Sequence, residues 1–140
     1  PRALGVGFVT DVLLDTNAVL WLVSEPDRLS PTTLDILANP GNALYVSAAS
    51  AWEIAIKTRL GRLDGAPLLA AWEETLSSMS ATDLAIDSSD AVTAGQLAWE
   101  HRDPFDRMIV AQATRRGLTI ATSDQVIQTG TLTPVIDTRR

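Results

Sequence analysis

"DVLLDTNAVLWLV", residues 11–23, decides the fold class. A short apolar run ends in Asp15, Thr16 and Asn17, and the apolar character then resumes over 18–23 until the breaker "SEPD" stops it. Read locally, this is a strand, a turn and a short helix. The same alternation recurs outward along the chain. "SPTTLDILANPG" (30–41) is a helix with Ser30 as N-cap, Pro31 in the first helical position and Pro40-Gly41 as its stop. "ALYVS" (43–47) is a strand feeding "AASAWEIAIKTRLG" (48–61), where Trp52, Ile56 and Leu60 recur at helical spacing and Gly61 supplies the C-cap. "APLLAAWEETLSSM" (66–79) reads as one further helix, and "DLAID" (83–87) as a strand. "SSDAVTAGQLAWE" (88–100) reads as a helix capped by Ser88 or Ser89, with Leu97 and Trp99 among its apolar residues. The loop "HRD" leads into a helix from Pro104 to Arg116, ended by Gly117; "LTIAT" (118–122) is a strand, "SDQVIQTG" (123–130) a turn and short helix, and "TPVID" (133–137) the last strand. Strands alternating with helices predict an α/β fold, a parallel sheet with helices on both faces. Ligands of such open sheets bind beyond the carboxyl ends of the strands.

The 140 residues, 46% hydrophobic and 20% charged, suit one domain with a sizeable core. Residues 1–9 begin with Pro1 and are read as an extended or appended start, leaving 10–140 as a single domain. Without cysteine there is neither a disulfide frame nor a thiolate metal site. No apolar run approaches the roughly 20 residues of a membrane span, and "PRALGVGFVT" lacks the regions of a signal peptide. The expectation is a cytoplasmic protein that does not enter a membrane. A net charge of −6 argues against broad electrostatic binding to nucleic acid, so any such role is local. Lys57, Arg59 and Arg62 form a small basic cluster, and the overall acidity would suit a basic partner.

Four acids converge on one edge of the expected sheet. Asp15 ends the first strand and Asp124 lies just past "LTIAT". Glu53 and Asp106 lie near helix starts, and Asp106 shares the side of its helix with Ile109, Val110 and Ala113, where a carboxylate needs a partner. Each acid also has a local explanation. Ser50 to Glu53 matches a capping box, and Glu53 and Lys57 form a helix pair at i, i+4. Asp103 caps the helix that Pro104 begins, and Asp106 can sit there as a first-turn acid. Asp15 and Asp124 can be ordinary caps or turn residues. Their convergence favours a joint role. Clustered carboxylates stay ionised together only beside a cation, and all-oxygen donors with a single histidine favour Mg²⁺ or Mn²⁺. Hydrolysis of a phosphodiester follows from that chemistry.

With those residues in view, the chain resembles the PIN-domain ribonucleases, and specifically the VapC-type toxins of bacterial toxin-antitoxin pairs. The likeness runs from about Asp11 to Asp137, through "LLDTNAVLWL", "YVSAASAWEIAIK", "HRDPFDRMIVAQA" and "TIATSDQVI" in order. It implies a PIN-like three-layer sandwich and a small metal-dependent endoribonuclease. It further implies a homodimer held inactive by a cognate antitoxin. Carried over, Asp15, Glu53, Asp106 and Asp124 match the acidic quartet. Asp15, Asp106 and Asp124 are the candidate ligands of Mg²⁺ (or Mn²⁺), and Glu53 binds a second ion or orients the attacking water. Asn17 and Thr122 are candidates to steady ligands or water by hydrogen bonding, with Asp103 left as the helix cap. Arg102, Arg107 and Lys57 are candidate RNA contacts, although pairing with acids is favoured for the two arginines. His101 is read as a substrate contact or a surface residue, not a required base. Trp21, Trp52, Trp72 and Trp99 are read as core or interface anchors in preference to base-stacking platforms.

Two other enzyme classes fit less well. A receiver-type phosphoacceptor expects paired early acids and a lysine near the last strand, whereas the only lysine is Lys57. A haloacid-dehalogenase phosphatase would place a second aspartate where Asn17 stands. Neither a phosphate-cradling glycine loop nor a Ser-His-Asp order is present. A PIN-like fold kept only as a protein-binding module is the remaining alternative, and the intact quartet weighs against it.

Overall fold

The computed structural model describes residues 10–131 and 133–140. Residues 1–9, expected to be an extended or appended start, lie outside the described residues. Five strands, β1 (Val12–Leu14), β2 (Leu44–Ser47), β3 (Ala81–Leu84), β4 (Thr119–Thr122) and β5 (Val135–Asp137), form one sheet in the order β3-β2-β1-β4-β5. Every pairing is parallel. The helices are α1 (Thr16–Ser24), α2 (Pro31–Ala38), α3 (Ala48–Arg59), α4 (Ala66–Ala70), α5 (Trp72–Ser78), α6 (Ser88–Gln96), α7 (Pro104–Arg116) and α8 (Gln125–Gly130).

The two-residue period of the strands divides the core into two layers. Val12 and Leu14 join Leu44, Val46 and Ala121 under α1, α2 and α5, where Ala18, Val19, Ile36, Leu37 and Leu76 are buried. Leu13 and Ile120 point the other way, into Ile109, Val110 and Ala113 of α7 and Ile127 of α8. Helices therefore cover both faces, giving the three-layer α/β sandwich expected.

Topology places the site. The chain leaves β1 toward β2 and β3, then crosses back to build β4 and β5 on the other side of β1. Strand order thus reverses between β1 and β4, and at such a switch point the connections splay apart at the carboxyl edge and leave a crevice. Leu14 pairs with Ala121, so Asp15 and Thr122 emerge side by side into it.

Several boundaries differ from the sequence reading. The 66–79 helix is two helices broken at Ala71, whose φ and ψ of −112° and 28° leave the helical range. The third strand is Ala81–Leu84 and not 83–87, because Asp87 serves as N-cap of α6 and exchanges capping-box bonds with Asp90. That cap displaces Ser88 and Ser89. The α6 helix stops at Gln96, leaving Leu97 and Trp99 in the connector to α7. Gly61, at φ +74°, follows the end of α3, with Gly61 N–H donating to Thr58 O and Arg62 N–H to Lys57 O, the paired bonds of a Schellman ending.

Candidate active site

Asp15 caps α1 at the end of β1. Its Oδ1 accepts from Ala18 N–H at 2.8 Å, and its Oδ2 from the Thr122 hydroxyl at 2.5 Å. Thr122 in turn accepts from Asp124 N–H at 2.9 Å, so one buried hydroxyl ties the ends of β1 and β4 together. Asp124 caps α8 through Oδ1, which accepts from Val126 N–H. Asp106 stands on the first turn of α7, where Asp103 Oδ1 accepts from both Phe105 and Asp106 N–H. Asp103 is thus accounted for as a cap.

The three aspartates act on one another. Asp15 is 4% exposed, and burial, then repulsion from Asp106 and Asp124, pushes its carboxyl up to about 6 against the help of Thr122 and Ala18. Asp106 is likewise pushed up to about 6, by burial first and by Asp103 and Asp124 after it, while a hydrogen bond from His101 opposes the rise. Two carboxyls raised into the near-neutral range, chiefly by burial and further by neighbouring carboxylates, concentrate negative charge at this edge of the sheet.

Glu53 joins from a third direction. It is the sixth residue of α3, which Ser47 caps, so the capping-box reading of Ser50 and Glu53 does not hold. Its Oε1 accepts from the Thr16 hydroxyl at 2.6 Å, and Thr16 also contacts Ser50 Oγ at 3.0 Å. Its Oε2 pairs with Lys57 Nζ at 2.5 Å, as the i, i+4 reading expected. Thr16, the residue after Asp15, therefore ties the fourth acid to the start of α1. Thr16 was missed in the sequence, although its hydroxyl, immediately after an acid that ends a strand, was the available signal.

The remaining candidates divide. Asn17 is exposed on the first turn of α1, and Thr122 is fully buried at the centre of the site. Arg102 is exposed. Among the described residues neither Arg102 nor Arg107 pairs with an acid; Arg107 instead spends its guanidinium on backbone carbonyls. His101 is not a bystander, because its Nε2 lies 2.7 Å from Asp106 Oδ2. Trp21, Trp72 and Trp99 pack against the core, whereas Trp52 is 59% exposed and meets Phe105 edge-on, with ring centroids 5.2 Å apart. Trp52 and Phe105 line an apolar cleft of about 260 Å³ between α3, α6 and α7 that contains none of the four acids.

Among the described residues no three acidic or histidine side chains close into a ligand shell as they stand. The donor set nonetheless suits a hard cation. Asp106 Oδ1 and Asp124 Oδ2 accept no hydrogen bond from the described residues, and every acid offers oxygen.

Comparison with known proteins bears on the family and the fold. The PIN domain model matches residues 12–129, a span that contains all four acids. Ribonuclease VapC22 of Mycobacterium tuberculosis is 32% identical over 118 residues, covering 84% of this chain and 89% of that protein. Among solved structures, VapBC2 from Rickettsia felis bound to a DNA fragment superposes with a TM-score of 0.65 at 13% identity, covering 90% of this chain and 97% of that one. A toxin-antitoxin complex from Klebsiella pneumoniae gives 0.62 at 20% identity, covering 89% and 95%. At these identities the solved structures speak to the fold.

Proposed function

The chain belongs to the PIN domain family, and we propose that it is a metal-dependent endoribonuclease of the VapC toxin type, formed by one domain over 10–140. The observation that carries this reading is the convergence of Asp15, Asp106 and Asp124 at the β1/β4 switch point, with Glu53 tied in through Thr16. Asp15, Asp106 and Asp124 would hold Mg²⁺ or Mn²⁺. The bound ion supplies compensation for their charge and for charge developing on the phosphoryl group, and makes a bound water more acidic.

The chain's own residues do the rest. Ala18 N–H and Thr122 fix both oxygens of Asp15, so its orientation is set before any ligand arrives. Glu53 is held from both sides by Thr16 and Lys57 and orients the attacking water. Attack at phosphorus forms a bond to the water oxygen and breaks the bond to the 3′ oxygen, leaving 5′-phosphate and 3′-hydroxyl ends. Lys57, half-exposed beside Glu53, and exposed Arg102 would meet phosphates of the RNA.

The acidic site favours a basic side chain of a cognate antitoxin as its plug, and the family resemblance adds a homodimer. Among the described residues no helix is long and apolar enough to cross a membrane, in keeping with a cytoplasmic setting. No observation favours a silent binding module or a phosphoacceptor. Induction of wild type and Asp106→Asn in cells, followed by sequencing of RNA ends, tests the reading. New 5′-phosphate ends with wild type alone support it, and identical ends in both strains refute it. Purification from the native operon tests the antitoxin, and light scattering the dimer.

A further inference from the structure

Residues 97–103 join α6 to α7 without regular structure, yet they carry His101 onto Asp106. One side chain organises this segment. Arg107, on the first turn of α7, directs Nε to Ala94 O at 2.9 Å, Nη1 to Trp99 O at 2.6 Å and His101 O at 3.0 Å, and Nη2 to Leu97 O at 2.9 Å and Gly95 O at 3.4 Å. These five bonds match the five N–H groups of a guanidinium. Two of the carbonyls belong to the last turn of α6, which lacks helical partners. The other three, of Leu97, Trp99 and His101, alternate along the connector, which turns at Ala98 where Trp99 N–H donates to Leu97 O.

A second anchor acts on the same segment. A Cβ at Gly130 of α8 would come within 2.2 Å of Trp99 Nε1, so the indole occupies space that a side chain there would fill. The Trp99 ring then lies 4.8 Å, centroid to centroid, from the His101 ring. The connector is held from one side through its carbonyls and from the other through Trp99.

We propose that Arg107 is a positioning residue whose five carbonyl bonds, together with the Trp99–Gly130 contact, hold His101 on Asp106 and thereby fix the orientation of that acid. This excludes Arg107 as a phosphate contact, because its donors are occupied. Lysine cannot replace it, since an ammonium has three donors and no planar fork. The activity arm of the test rests on the nuclease reading, whereas the structural arm does not.

His101 is the sole histidine, so its imidazole nitrogen resonances report this contact without assignment ambiguity. Spectra of the metal-free protein at one fixed pH would be recorded for wild type, Arg107→Lys, Gly130→Ala and Asp106→Asn. The expected result is that Arg107→Lys and Gly130→Ala both move the His101 resonances toward those of Asp106→Asn, with helix content retained by circular dichroism. RNA cleavage by the two variants falls roughly 10–100-fold in kcat, the scale of losing a group that orients a ligand, with KM little changed. Unchanged His101 resonances in both variants would overturn the proposal. So would a rise in KM with kcat retained in Arg107→Lys, the signature of a phosphate contact. Shifted resonances in a protein whose wild type cleaves no RNA would uphold the positioning role and remove the nuclease reading instead.

Discussion

Asp15→Asn should make the metal-free protein more stable while removing its activity. The Asp15 carboxyl rises from 3.8 in the unfolded chain to about 6 in the fold. The native state therefore binds this proton more tightly than the unfolded state does. Stability from this group is highest below about pH 4, declines as pH rises toward about 6, and the full penalty stands above that. At about 1.4 kcal/mol per pH unit between the two values, the ionised carboxylate costs about 3 kcal/mol at pH 7.5. Asparagine removes the charge, and its oxygen can still accept from Ala18 N–H, but its amide cannot accept the Thr122 hydroxyl, a loss of about 1 kcal/mol. The net gain is about 2 kcal/mol. Urea unfolding in EDTA at pH 7.5 and pH 4 measures it: the variant should exceed wild type at pH 7.5 and lose that advantage at pH 4. Added Mn²⁺ should then stabilise wild type and not the variant. A variant less stable than wild type at pH 7.5, or equally favoured at both pH values, would refute the reasoning.

The two aspartates of "HRDPFDR" should separate: Asp103→Ala loses the cap of α7 and about 1 kcal/mol in urea unfolding but keeps measurable cleavage, whereas Asp106→Asn keeps the helix and abolishes cleavage. Thr16→Val, which removes the donor to buried Glu53 Oε1, should lower kcat at saturating Mn²⁺ roughly 10–100-fold and cost about 1–3 kcal/mol in urea unfolding, because a buried acceptor loses its partner. Asp90 is fully buried, yet Arg116, Gln112, the Asp87 N–H and Arg115 outweigh the burial and bring its carboxyl down to about 2. Its contribution is present above about pH 4 and is lost as pH falls through about 2, so acid unfolding followed by circular dichroism should show about 2 kcal/mol more lost over that window in wild type than in Asp90→Asn.

What could be read in the sequence was what depends on neighbours along the chain. Asp15 and Asp124 sit where a short strand run gives way to a helix, Asp103 directly precedes Pro104, and Pro104 and Gly117 mark the limits of α7 in the residues themselves. Glu53 was legible as a candidate acid, but its capping-box explanation fails because Ser47, the last residue of β2, is also the cap of α3. The edge strand β3 was misplaced because only Leu84 of its four residues is buried, so no alternating pattern marks its start. Arg107 and His101 could not be placed from composition or spacing. Their partners are carbonyls of an irregular connector and an acid five residues on, contacts that exist only once α6, α7 and α8 have packed.

Hydrolysis of RNA by the gathered acids with a divalent ion is the proposed reaction. Its most direct test is cleavage of RNA by the purified protein, wild type against Asp106→Asn, in EDTA and in Mn²⁺, with both product ends characterised chemically. The expected result is cleavage by wild type in Mn²⁺ alone, yielding 5′-phosphate and 3′-hydroxyl ends. Cleavage that persists in EDTA or in the variant, or that leaves 2′,3′-cyclic phosphates, would contradict it.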